Sequence, residues 1–254
     1  MLGSIVMTLF VLFGAIKVNY KGKSISELLP VAVFSPCIYY IAETIGIEHT
    51  TASESGIFLA CIPIASLIAS SIFLNEKPSR RQVIGIAVTL IGVLITVLSL
   101  GLTSSFSIFG YLFLLAAVIS YALYSVFVSK VKSYTDFEIT YMMLICGAIF
   151  FTILAMIEAS TDRSFYYLIS LPFKNRSFLI AILYQAIACS VLAFFLSNMA
   201  IAKIGVNKTS SFIGVSTAVS ILTGIIILNE SFKFYQVIGA IVIILGVYIA
   251  NINK

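Results

Sequence analysis

The sequence predicts an all-α membrane protein, a bundle of about nine transmembrane helices in two repeats of opposite topology. The first observation behind this prediction is composition, because 61% of the residues are hydrophobic and only 10% are charged. Ordinary soluble domains have about 25% charged residues. A soluble core of 254 residues cannot bury so much apolar surface, whereas lipid accepts a helix with an apolar exterior.

The second observation is an internal repeat. The segment LNEKPSRRQVIGIAVTLIGVLITVL at 74–98 recurs as LNESFKFYQVIGAIVIILGVYIANI at 228–252, a constant offset of 154, with 11 of 25 positions identical. The identical positions include the pairs Glu76/Glu230, Gly85/Gly239 and Gly92/Gly246. Duplicated membrane units are typical of transporters, whose substrate sites form between the repeats.

Hydrophobic length defines the predicted helices, since a spanning helix needs roughly 20 apolar residues. Nine segments qualify: about 2–18, 28–48, 52–74, 81–100, 107–130, 138–158, 178–201, 208–228 and 234–252. Most connections are short and polar. The exception, 159–177, is rich in aromatic residues and is either a segment lying at the membrane interface or a loop with an aromatic belt.

Charge orients the predicted helices. Eleven of the 15 Lys and Arg residues fall in alternate connections, which we expect to be cytoplasmic: Lys17, Lys21, Lys23, Lys77, Arg80, Arg81, Lys130, Lys132, Lys203, Lys208 and Lys254. The other side has Arg163, Lys174, Arg176 and Lys233. This places Met1 outside and Lys254 inside. It also places the loops after Glu76 and Glu230 on opposite sides, which is an inverted-topology repeat.

The helix count is odd, so one helix lacks a repeat partner. The offset pairs 52–74 with 208–228 and 81–100 with 234–252, and chain order pairs the two preceding helices of each unit. Helix 107–130 is left unpaired. We therefore expect a first unit at 1–101, with four helices and its first helix missing, and a second unit at 102–254, with five. A lost helix, a start placed too late and a fold adapted to nine helices all remain open.

The residues resemble the EamA-like permeases of the drug/metabolite transporter superfamily. The similar segments are TTASESGIFLACIPIASLIASSIFLNE at 50–76, RRQVIGIAVTLIGVLI after it, YLFLLAAVISYALYSVF at 111–127 and SVLAFFLSNMAIAKIGVNKTSSF at 190–212. The resemblance covers essentially the whole chain and departs from the family in two respects. The family's first helix is absent. Its mid-helix proline is present as Pro63 but is replaced by Thr217 in the second half.

The resemblance implies a secondary-active permease that exports a small metabolite, amino acid or drug by alternating access. It also implies that helices 28–48, 52–74, 107–130, 178–201 and 208–228 line the cavity. A multi-pass location in the inner or plasma membrane follows, with the C-terminus cytoplasmic. Coupling to protons and assembly as a homodimer are left open.

Glu43 is the sharpest candidate for a substrate-cavity residue. It follows Pro36 and Tyr40 at helical spacing, so the three residues lie on one stripe of the helix. A carboxylate within a span costs about 2.5–3.5 kcal/mol and usually faces a cavity or a partner. Glu43 therefore either couples protons or contacts a cationic substrate, or else it is hydrated near the outer interface.

The other cavity candidates are polar and aromatic residues within spans, which need partners or water. They are Tyr40, Ser120, Tyr121, Tyr124, Tyr184 and Gln185. Each could instead hold helices together. Glu54, Glu76 and Glu230 lie at helix ends, where a capping or pinning role is expected, with Arg80 or Arg81 as the partner of Glu76. The spaced small residues, such as Ser66 and Ser70, predict close helix packing.

Several classes of function are disfavoured. The four cysteines lie in apolar runs without a C-x-x-C pair, one histidine cannot form a metal site, and no nucleotide-binding glycine loop is present. We therefore expect no cofactor, no metal, no nucleic-acid partner and no enzymatic activity; the expected partners are the lipid bilayer and a small solute. The alternative to a permease is a non-transporting fragment or scaffold that needs a partner helix.

Overall fold

The computed structural model describes residues 1–98, 107–162, 165–216, 219 and 234–252, and within these ranges it contains helices and no strands. The helices are α1 (Leu2–Leu12), α2 (Ile25–Glu48), α3 (Ala52–Ala60), α4 (Ile62–Phe73), α5 (Arg80–Leu98), α6 (Ile108–Lys130), α7 (Asp136–Asp162), α8 (Phe165–Lys174), α9 (Arg176–Ile204), α10 (Val206–Ser211) and α11 (Phe234–Asn251).

Five of the described helical segments are long and apolar enough to cross a membrane: Ile25–Glu48, Glu54–Phe73, Ile108–Lys130, Asp136–Ile157 and Arg176–Ile204. Leu2–Leu12 and Val237–Asn251 are shorter apolar helices. Most of the predicted helix 208–228 lies outside the described residues, as do Thr217, Glu230 and Lys233. The fold is thus all-helical and membrane-like, while the count of nine spans stays a prediction.

The structure differs from the predicted boundaries at two places. Helix α1 ends at Leu12 rather than at residue 18, and the chain then turns at Gly14, whose φ of 73° is readily adopted by glycine. In the aromatic segment 159–177, α7 continues to Asp162 and α8 forms a separate helix. Apart from Asn175, the described residues of this segment are therefore helical.

Two of the long helices are irregular at matching positions. In α2, residues Val33–Ile38 form a widened turn in which Ser35 is extended (φ −144°, ψ 122°) and Pro36 supplies no N–H donor. In α9, Gln185–Leu192 is a π-helical turn. Adding 154 to 33 and 38 gives 187 and 192, so the two irregular turns occupy equivalent places in the sequence repeat.

Helices α5 and α11 form the most extensive pair, and they pack antiparallel through glycines. A Cβ on Gly92 would lie 2.7 Å from the Ile243 nitrogen and 2.8 Å from the Gly239 oxygen. Likewise, a Cβ on Gly246 would lie 2.7 Å from the Gly85 oxygen. Gly92 therefore faces Gly239, which is the repeat counterpart of Gly85. Gly85 faces Gly246, which is the repeat counterpart of Gly92. Small residues here allow the backbones to touch.

The main apolar core joins α2, α6, α7, α9 and α10. Its buried members are Leu28, Val31, Tyr124, Val128, Val131, Tyr134, Ile139, Met143, Ile201 and Val206. A smaller cluster of Val93, Ile243 and Val247 lies between α5 and α11. The main core fixes α2 against α6, which positions the polar residues described next.

Candidate functional site

A carboxylate and a group of tyrosines meet where α2 packs on α6. The Tyr39 hydroxyl donates a hydrogen bond of 2.7 Å to Glu43 Oε1, one helical turn later. Glu43 is half-buried, so its carboxylate is reachable but partly shielded. A carboxylate flanked by aromatic rings is suited to bind a cation, because the ring faces also attract positive charge.

The aromatic rings form a continuous surface from α2 to α6. Tyr39 contacts Tyr40 and Tyr121, with ring centroids 5.4 Å and 5.9 Å apart, and Tyr121 contacts Tyr124 at 5.5 Å. All three contacts are edge-on, which is a favoured geometry for aromatic pairs. The rings therefore hold one another in fixed orientations beside Glu43.

The inner end of this surface is closed by a buried hydrogen-bond network. Tyr124, 1% exposed, donates to Asn198 Oδ1 at 2.6 Å. Asn198 Nδ2 donates in turn to Thr140 Oγ1 at 2.9 Å and to Met143 Sδ at 3.4 Å. The network links α6, α7 and α9, so Tyr124 and Asn198 are committed to holding helices together.

Tyr40 also lines a small cavity of about 130 Å³. Its lining includes Tyr40 and Phe194, whose rings are 6.1 Å apart, together with Pro36 and Ser190. In the sequence repeat, Tyr40 corresponds to Phe194 and Pro36 to Ser190. The cavity is thus lined by equivalent residues from α2 and α9.

Two glycines complete this cavity by reciprocal contacts. A Cβ on Gly3 of α1 would lie 3.2 Å from Ser190 Cβ, and one on Gly147 of α7 would lie 2.6 Å from Pro36 Cγ. Both glycines line the cavity. Helix α1 therefore packs on α9 as α7 packs on α2.

The structure brings together Tyr40, Glu43, Tyr121 and Tyr124 from the predicted site residues. Ser120 is adjacent but donates to the Phe34 carbonyl at 2.8 Å, which satisfies the backbone at the irregular turn of α2. Tyr184 is 64% exposed, and Gln185 is also exposed. Neither of these last two residues joins the cluster.

Three polar residues of the network and cluster, Tyr39, Thr140 and Asn198, lie outside the predicted site. Tyr39 carries a readable signal, since it precedes Tyr40 and lies four residues before Glu43. Thr140 and Asn198 carry none, because they are 58 residues apart and only the packing of α7 on α9 joins them.

Glu138 is another missed residue, and it anchors the connection between α1 and α2. It is 2% exposed and accepts hydrogen bonds from Lys23 Nζ at 2.7 Å, the Asn19 amide at 2.7 Å and the Thr135 amide at 2.8 Å. The Tyr20 hydroxyl donates to the Glu138 carbonyl at 2.8 Å, and burial together with this carboxylate raises the pKa of Tyr20. The spacing of Thr135 and Glu138 is the sequence signal of a capping box.

The acidic residues at helix ends have structural partners. Glu54 forms a capping box with Thr51 and accepts a hydrogen bond from the Tyr111 hydroxyl. Glu76 accepts from Asn207 Nδ2 at 3.2 Å, and in the described part of the chain it forms no ion pair with Arg80 or Arg81. The expected arginine partner of Glu76 is thus replaced by an amide, because Asn207 on α10 is held beside it by Ser70 Oγ at 2.7 Å.

Metal-ligating side chains do not converge anywhere in the described ranges, where no group of three His, Cys, Asp or Glu could hold an ion. The four cysteines are free thiols: Cys37 is buried, and Cys61, Cys146 and Cys189 are half-buried.

Long apolar helices and polar groups that meet inside the bundle define a multi-pass helical membrane protein. Residues 1–98 and 108–252 match the profile of the EamA-like transporter family, so the chain belongs to that family and is a membrane transporter.

Known relatives agree with this assignment, and a solved structure shares the fold. The uncharacterized transporter YcxC of Bacillus subtilis (strain 168) is 32% identical over 251 residues, covering 97% of this chain and 79% of that protein. The uncharacterized transporter YetK of the same organism is 30% identical, covering 88% of this chain and 66% of its own length. A crystal structure of another protein matches 98% of this chain and 84% of its own with a TM-score of 0.73 at 16% identity. This similarity shows a shared fold.

Proposed function

We propose that this transporter moves a small organic solute outward by alternating access of two inverted halves. The observation that carries the proposal is the cavity between α2 and α9, because repeat-related residues from both halves line it. In secondary transporters with inverted repeats, the solute and ion sites lie at this kind of interface.

The packing of the helices supports the inverted arrangement. The α5–α11 glycine contact is reciprocal, and at the level of whole helices α1 packs on α9 as α7 packs on α2. The irregular turns of α2 and α9 also coincide under the 154-residue offset. The two segments that match the family, 1–98 and 108–252, lie on either side of the proposed boundary between units 1–101 and 102–254.

Glu43 gives the site its chemistry in this proposal. Its repeat counterpart is Ser197, whereas the counterpart of Tyr40 is the aromatic Phe194. The aromatic side chain at the position of Tyr40 is therefore duplicated but the carboxylate is not, so the repeated fold does not require an acid at the position of Glu43. A carboxylate beside Tyr39, Tyr40 and Tyr121 favours a solute with a protonated amine or another cationic group, exchanged for protons.

The test is transport by the purified protein in sealed liposomes that contain a pH-sensitive dye. Small organic amines and quaternary ammonium compounds are added outside, and solute uptake and proton movement are recorded across a range of pH. The wild-type protein should transport at least one of these cations at a rate that depends on pH. Glu43→Gln should lose this pH dependence, because the amide does not titrate.

Glu48→Gln is the matched control, since Glu48 is an exposed carboxylate at the end of the same helix. It should keep the wild-type pH profile. The absence of any solute movement by the wild-type protein would overturn the transport mechanism. An unchanged profile in Glu43→Gln would overturn the role of Glu43 alone.

A further inference from the structure

A basic groove lies at one end of the α5–α11 pair. It has a volume of about 660 Å³ and is lined by Ser79, Arg80, Arg81, Gln82, Lys208, Ala250 and Ile252. Its three cations come from two regions far apart in sequence, the start of α5 and α10. Both regions belong to the side that the charge distribution predicts to be cytoplasmic.

The local structure holds these cations in place. The Ser79 amide donates to Gln82 Oε1 at 2.8 Å, and the Gln82 amide donates to Ser79 Oγ at 3.2 Å, which fixes the start of α5 beside the arginines. Lys208 follows Asn207, which is 6% exposed and hydrogen-bonded to Ser70 Oγ and to Glu76. The backbone that carries each cation is therefore anchored.

The groove combines charged and apolar residues, and it passes from charged to apolar along the axis of α5. Ala250 and Ile252 give it an apolar side next to the cations. One turn further along α5, Val83 and Ile84 are 48% and 55% exposed. Exposed apolar side chains on a membrane-spanning helix are solvated by acyl chains. The groove thus has a charged end and an apolar end. This arrangement is complementary to an anionic phospholipid, which has a charged phosphate at one end and acyl chains at the other.

The basic residues are not dictated by the repeated architecture. The repeat counterparts of Arg80 and Arg81 are Phe234 and Tyr235, which are 72% and 61% exposed, and the counterpart of Lys208 is Glu54. The glycine packing between these helices is duplicated, whereas the cations occur in one copy only. The packing of α5 on α11 therefore does not account for them.

From this geometry we infer that the groove binds an anionic phospholipid. The phosphate lies among Arg80, Arg81 and Lys208, and the acyl chains run along Ile252, Val83 and Ile84. Arginine is suited to this role because its planar guanidinium can form paired hydrogen bonds to phosphate oxygens.

The test measures lipid binding to the purified full-length protein in a neutral detergent by native mass spectrometry. Dioleoyl phosphatidylglycerol is titrated against dioleoyl phosphatidylcholine. The wild-type protein should retain the anionic lipid in preference to the zwitterionic one. The triple variant Arg80→Gln/Arg81→Gln/Lys208→Gln should bind phosphatidylglycerol roughly 100-fold more weakly. The reason is that each basic residue near an anionic lipid surface strengthens binding by a similar factor.

The matched control removes three exposed lysines from the same predicted side but outside the groove, Lys17→Gln/Lys21→Gln/Lys132→Gln. It should keep wild-type affinity. Equal loss in both triple variants, or no loss in the groove variant, would overturn the site. Thermal unfolding in detergent without lipid verifies that both variants are folded.

Inorganic phosphate and glycerol 3-phosphate form the second arm of the experiment. Neither should displace the bound lipid at millimolar concentration, because they lack acyl chains. Displacement by either small anion would show a soluble-anion site and overturn the assignment to a lipid. The binding measurement involves no transported solute, so its outcome is independent of the transport mechanism.

Discussion

At the scale of single residues, polar side chains inside the bundle fall into two groups. Asn198 is fully buried and bonded to Tyr124 and Thr140, so it connects three helices. Glu43 is half-buried, and within the described residues one hydrogen bond, from Tyr39, is found at its carboxylate. The first group stabilises the fold, and the second leaves capacity for a ligand.

Replacement of Asn198 should therefore affect stability. Asn198→Ala removes the acceptor of the buried Tyr124 hydroxyl and the donor to Thr140 and Met143. We expect a loss of about 1–3 kcal/mol in the free energy of unfolding, measured by denaturant titration in detergent. Gln185→Ala, at an exposed amide of the same helix, should leave the unfolding curve unchanged. Identical curves for the two variants would contradict the network.

Residue-level reasoning from sequence reaches contacts that are local along the chain. The spacing of Tyr40 and Glu43 on α2, and of Tyr121 and Tyr124 on α6, predicts that each pair shares a face, and the structure joins both pairs through Tyr39. Contacts between distant segments carry no such spacing. Asn198 and Thr140 therefore could not be paired, and Tyr184 and Gln185 could not be placed relative to the cluster.

At the scale of elements, the glycines of α5 and α11 determine how closely the two helices approach. Gly92→Val should disrupt the pair, because the added carbons would overlap the backbone at Gly239 and Ile243. We expect about 1–3 kcal/mol of destabilisation, seen as a lower thermal unfolding midpoint in detergent.

Ala87→Val is the control for this change, since Ala87 is exposed on the same helix and has room for a larger side chain. An unfolding midpoint for Gly92→Val equal to that of Ala87→Val would show that α5 and α11 are further apart than described.

The repeat of Gly85/Gly92 as Gly239/Gly246 predicts close packing from sequence, but not that each copy packs on the other. The partner of a packing face depends on how the whole chain folds back on itself.

At the scale of the whole molecule, the two halves are proposed to enter the membrane in opposite senses. Reporter domains fused after Lys77 and after Lys233 should then report opposite sides, cytoplasmic for the first and external for the second, because the surrounding Lys and Arg residues are unequally distributed. A fusion after Lys254 should also be cytoplasmic. Localisation of the Lys77 and Lys233 fusions to the same side would overturn the inverted repeat.

The contact between α5 and α11 also determines which parts of the transporter can move far. Backbone atoms meet directly at its four glycines, so no layer of flexible side chains is available to let one helix slide along the other. In the proposed alternating access, we therefore expect one half to rotate against the other about an axis near this pair, so that the displacement of a group grows with its distance from that axis. Tyr40 and Phe194 belong to helices that pack mainly on α1, α6 and α7, so they trace longer arcs than groups beside the glycines. We therefore expect a small rotation at the glycines to produce a larger displacement of Tyr40 and Phe194.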